Sequence, residues 1–140
     1  MRAIAAFVAV LSLSVPAASA GGAPAPPVIR EPFTALPCPR HPLSNFDQKA
    51  CAGQALLRSD RAINGLARTI FYRLQTRAAR VAFVSGERAW LRYRRASCSA
   101  EASVFRGGTA EGLVLLQCQI RRNKRHLVDL AQMKQALREP

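Results

Sequence analysis

The sequence predicts an all-α protein, an antiparallel bundle of three main helices stapled by two disulfides. Three observations predict it. Apolar residues recur at helical spacing from Ser44 onward, with no alternation of the kind a strand shows. The pair Gly107-Gly108 breaks that pattern once. Four Cys (Cys38, Cys51, Cys98 and Cys118) follow an export-type leader.

The chain opens "MRAIAAFVAVLSLSVPAASA", where Arg2 precedes an apolar run and Ala18-Ser19-Ala20 forms a small-residue site. That order reads as a signal peptide over residues 1–20, cleaved after Ala20. The apolar run is shorter than the roughly 20 residues a membrane span needs. No later segment is long and apolar enough to cross a membrane, so the expected location is periplasmic or secreted. Residues 21–37 are Pro-rich and hold much of the chain's complement of nine Pro. Such a segment cannot be helical, and it reads as an extended, partly disordered leader. Residues 38–140 then form one helical domain.

Within that domain, Ser44-Asn45-Phe46-Asp47 is a helix start signal. Ala52, Leu56, Ile63, Ala67, Ile70 and Leu74 share one face of the helix that follows, to about Gln75, with Asp60 and Asn64 on its flank. A second helix is expected from about Ala79 to Val104. Gly107-Gly108 stops it, and Thr109 can cap a third helix whose stripe is Leu113, Leu116, Ile120, Leu127 and Ala131. Val81 and Val84 point outward on this reading.

The stretch "GERAWLRYRRASC" in the second helix divides its four Arg. With Trp90 as reference, Phe83, Arg94, Cys98 and Glu101 fall on the inward side, and Arg88, Arg92 and Arg95 on the far side. A charge at Arg94 must find a partner. Asp60 is the natural one, with Glu101 and Glu87 as others. Trp90 packs inward. Arg88, Arg92 and Arg95, joined by Arg122 and Arg125 of the third helix, make a candidate basic binding surface.

Four Cys in an exported chain imply two disulfides. Of the three connectivities, the local one, Cys38–Cys51 with Cys98–Cys118, is preferred, each loop stabilising by about 3 kcal/mol. Two His and no C-x-x-C pair give no metal site and no thiol redox centre, and no cofactor is expected. No H-E-x-x-H, G-x-S-x-G or phosphate-cradling Gly loop occurs, and eight acids offer little for glycosidic chemistry, so the chain is not expected to be an enzyme. The formal charge is +13, or +12 without Arg2, which implies acidic partners such as lipopolysaccharide or acidic lipid head groups. Export makes nucleic acid an unlikely one.

The ordered set Cys38, Cys51-Ala52, Asp60-x-x-Ile63-Asn64, Glu87-Arg88-Ala89-Trp90-Leu91-x-Tyr93-Arg94, Cys98, Glu101, Gly107-Gly108-Thr109 and Cys118 resembles the LprI-type lysozyme inhibitor family. The resemblance spans about residues 38 to 130 and implies a small exported helical domain of the bacterial cell envelope, some members of which inhibit lysozyme. Glu87 stands where the family pattern has Gln, and Arg95 where it has Asp. The matching residues Asp60, Asn64, Trp90, Arg94 and Glu101 read as fold-specifying. Lysozyme contact then needs a local acidic patch, such as Glu101 with Glu111 near Gly107-Gly108, to insert into a cleft. An acidic patch is required because common animal lysozymes are basic and a +12 chain repels them at long range.

Overall fold

The computed structural model describes residues 22–138, and the expected signal peptide lies outside them. Three helices follow one another: α1 (Asn45–Arg73), α2 (Arg77–Ala102) and α3 (Glu111–Ala136). A short 3-10 turn, Ser103–Phe105, follows α2, and there is no strand among the described residues. α3 packs against both other helices, most extensively against α1. No helix among the described residues is long and apolar enough to cross a membrane.

Each boundary has a local cause. Ser44 accepts from the Asp47 N–H while the Asp47 carboxylate accepts from the Ser44 N–H, a reciprocal capping box that starts α1. Thr76 caps α2 by accepting from the Ala79 N–H, so the helix begins at Arg77, two residues before the expected start. α2 ends at Ala102 rather than Val104, because the chain tightens into the 3-10 turn and then reverses at Gly107, whose φ of +77° favours glycine. Thr109 does not cap α3. The helix enters through Ala110, which is already helical, and Thr109 Oγ1 instead accepts from Asn45 Nδ2 at 3.2 Å.

The stripe expected on α1 holds: Leu56, Ile63, Ala67 and Ile70 are buried, with Ala52 and Leu74 half-buried at its ends. Ile63, Ala67 and Ile70 join Phe71, Phe83, Val84 and Leu130 in a core around the α1–α2 turn, with Leu74 packed against it. Val84 is therefore buried, against expectation, while Val81 stays exposed. The segment around Pro27–Ile29 lies over that part of α2 and shares with Val84, Ile63 and Ala67 a cavity of about 180 Å³.

The stripe on α3 is misplaced. Leu113, Leu116, Ile120 and Leu127 are only half-buried and Ala131 is exposed, whereas Cys118, Gln119, Asn123, His126 and Leu130 are buried. At 100° per residue the buried face is rotated by roughly 100°. The cause is polar: Asn123 and His126 have partners inside the bundle that no apolar periodicity records.

Both disulfides join the residues of the local connectivity, Cys38–Cys51 and Cys98–Cys118. The first ties the end of the Pro-rich segment to α1, and the second ties α2 to α3 across the Gly107 turn. A core this small benefits from such staples.

Candidate functional site

Arg94 is the centre of the interior. Its side chain is fully buried, which requires that its charge be met inside. Nη1 donates to Asp60 Oδ1 at 2.7 Å and to Asn123 Oδ1 at 2.8 Å, and Nη2 donates to Glu31 Oε1. Asn123 closes the network by donating through Nδ2 to Asp60 Oδ1 at 2.9 Å and to Ser59 Oγ at 2.7 Å. Asp60 Oδ2 and Arg94 Nε are buried without a hydrogen-bond partner among the described residues. Elements from the whole chain thus meet at one guanidinium: the N-terminal segment, α1, α2 and α3.

The partner set differs from the expected one. Asp60 is the partner foreseen. Glu87 is not: its Oε2 lies 3.0 Å from His126 Nε2, both side chains nearly buried. Glu101 is not: it is exposed and pairs with the exposed Arg121. The third partner is Glu31, from the Pro-rich segment.

Trp90 is half-buried and stacks on His126, with ring centroids 3.8 Å apart and planes 12° apart. Its ring centroid also lies 5.5 Å from the Arg94 guanidinium carbon. Both contacts make it an internal residue. Asn64 reaches the N-terminal segment: Oδ1 accepts from the Ile29 N–H at 2.7 Å, and Nδ2 donates to the Ile29 carbonyl at 3.0 Å. One side-chain amide satisfies both backbone groups of one residue, so the segment is held as a strap next to Glu31. Of the motif residues, Asp60, Asn64, Trp90 and Arg94 converge on this strap and network, and Glu101 does not.

The candidate surface residues are distributed differently. Arg88, Arg92 and Arg95 are exposed on α2. Arg88 borders the cavity beside Trp90, and Arg95 borders a separate groove on the other side of the strap. Arg122 is half-buried, donating to Ser97 Oγ at 3.0 Å with its guanidinium over the Tyr93 ring at 5.3 Å. Arg122 and Arg125 line a small cleft with Glu101 and Arg121. Gly107 and Gly108 are exposed, and their turn adjoins the start of α1 through Thr109. The acidic patch expected beside them is already engaged. Arg121 meets Glu101, and Glu111 Oε2 accepts from the Gly107 N–H at 3.0 Å.

Sequence reasoning missed Glu31, Ser59, Asn123 and His126. Asn123, His126 and Leu130 recur at intervals of three and four, which is a helical face, but a polar one. Glu31 lies in a segment without periodicity, and only its being a lone acid amid Pro could have marked it.

A family model described as "Lysozyme inhibitor LprI" matches residues 38–130. No curated protein and no solved structure matches the chain.

Proposed function

The chain belongs to the LprI lysozyme inhibitor family, and from that premise we propose that it is a non-catalytic, exported cell-envelope protein that binds and inhibits lysozyme. The observation that carries the reading is the family match over residues 38–130, which includes all four disulfide-bonded Cys. Two disulfides suit an oxidising compartment outside the cytoplasm, in keeping with the signal-type opening.

Asp60, Asn64, Trp90 and Arg94 act in this reading as the internal frame, and the lysozyme-facing surface lies outside them. With Glu101 neutralised by Arg121 and Glu111 held against the Gly107 N–H, the patch beside the turn keeps only the Glu111 charge to attract a basic lysozyme. The expected target is therefore a lysozyme with an acidic binding surface, or one held by shape. Size-exclusion chromatography of the mature oxidised protein with such lysozymes tests this: a discrete stoichiometric complex supports it, and independent elution counts against it.

A second reading is a cationic binder of lipopolysaccharide or acidic lipid head groups. One observation favours it: Arg88, Arg92 and Arg95 are exposed and make no ion pair among the described residues. Binding of that kind weakens steeply with salt.

A further inference from the structure

Beside the strap lies an open groove of about 800 Å³, a size suited to a small molecule. One wall is the segment carrying Phe33 and Leu36, and the facing wall is the start of α3 with Leu115 and Leu116. Phe46 of α1 stands at its edge. Phe33, Leu36 and Phe46 are 39%, 50% and 65% exposed, an apolar concentration that a monomer ordinarily covers.

The wall is not a loose flap. Cys38–Cys51 fastens its end, Gln54 Nε2 donates to the Leu36 carbonyl at 3.1 Å, and Phe33 and Ala35 lie against α1 at Gly53. Three cations border this apolar surface: Arg30, Lys49 and Arg95. None makes an ion pair among the described residues. The one carboxylate in the lining, Glu31, is turned to Arg94. An apolar trough with unpaired cations at its rim complements one chemistry, a hydrocarbon tail ending in an anion.

We propose that this groove binds a free long-chain fatty acid, its tail along Phe33, Leu36 and Leu116 and its carboxylate at Lys49 and Arg95. The site is separate from the lysozyme-inhibitor reading and does not depend on it.

The test uses the mature oxidised protein titrated with cis-parinaric acid below its micelle concentration, with palmitate as competitor. Gly112 offers a clean block. The nearest atoms a Cβ there would meet belong to the Lys49 side chain, at 3.5 Å, so Gly112→Leu fills the groove while favouring the helix. Far-UV circular dichroism verifies that this variant and Lys49→Glu/Arg95→Glu remain folded. The expected result is saturable binding, lost in Gly112→Leu and weakened about tenfold or more in the charge-reversed variant, as loss of a charge-assisted contact implies. The methyl ester should bind correspondingly worse than the acid. Absence of saturable binding, or binding unchanged by Gly112→Leu, overturns the proposal. So does binding confined to anionic phospholipid vesicles, which would make the patch a membrane contact. Loss of lysozyme binding in Gly112→Leu without any fatty-acid binding also overturns it, by making the groove a protein contact. Failure of lysozyme inhibition alone leaves it standing.

Discussion

Arg94 and Glu31 are bonded across 63 residues of chain, the α2 guanidinium donating to a carboxylate of the N-terminal strap. Glu31 lies outside the segment 38–130 that matches the family, yet it completes a network built on the motif residues Asp60 and Arg94. Taking charges out of water is costly, and the arrangement is tolerable only because each is met by an opposite charge, with Asn123 bonded to both Arg94 and Asp60.

Replacing Arg94 should therefore be severe. Arg94→Met leaves Asp60 and Glu31 as two buried carboxylates without their cation, and the expected loss is about 3–5 kcal/mol. Glu31→Gln keeps an acceptor for Nη2 and removes only one charge, so it should cost clearly less. Urea unfolding of both variants measures the order. A loss smaller for Arg94→Met than for Glu31→Gln would show that the guanidinium is not the centre of the network.

The strap should detach locally before the bundle opens. Asn64→Ala removes both bonds to Ile29, so the Ile29 amide should exchange with solvent at close to an unstructured rate. Amides of Ile63 and Ile70 in the core should keep their protection. Hydrogen exchange read by NMR distinguishes this from a general loosening, in which all three would speed up together.

The two disulfides should reduce in sequence. Cys98 and Cys118 are 0% and 1% exposed, whereas Cys38 is open to solvent. Thiolate attack needs access to sulfur, so Cys38–Cys51 should be reduced first. Mild reductant followed by alkylation and peptide mapping should label Cys38 and Cys51 while Cys98 and Cys118 remain paired. Simultaneous labelling would mean that the whole domain opens before either bond breaks.

The capping box should contribute to acid stability. The Ser44 hydroxyl and backbone N–H bonds hold the Asp47 carboxyl below its usual 3.8. A depressed folded-state value stabilises above the unfolded value, and that contribution is lost as pH falls through the folded value. Asp47→Asn should thus lower Tm slightly at neutral pH and converge with the parent in acid. Parallel Tm curves from neutral pH into strong acid would contradict it.

Where apolar periodicity governs burial, the sequence was readable. Leu56, Ile63, Ala67 and Ile70 are aliphatic or small and recur at intervals of seven, four and three, so the buried face of α1 follows from spacing alone. The Arg94–Asp60 pair was also legible, since a charge amid an apolar stripe demands an opposite one on a facing stripe. The face of α3 was not, because its inward residues include Gln119, Asn123 and His126. Polar side chains turn inward when partners wait for them, and those of Asn123 and His126 come from α1 and α2. Glu31 was hidden for a related reason: a Pro-rich segment has no period, and its place is set by Asn64 and Arg94 rather than by its own sequence. The binding surface was the least legible of all. Arg88, Arg92, Arg95, Arg122 and Arg125 share a charge, but Arg122 is half-occupied by Ser97 and Tyr93, and Arg95 belongs to a groove whose walls come from other parts of the chain.

The central claim is that this frame carries a lysozyme inhibitor, and lysozyme turnover tests it most directly. Mature, oxidised protein is titrated into turnover assays of a basic and an acidic lysozyme, each at low and at physiological salt. The account predicts saturable, stoichiometric inhibition that survives salt and is stronger for the acidic enzyme. Full turnover of both enzymes in the presence of excess protein would contradict it, leaving family membership as a statement about the fold and not about lysozyme.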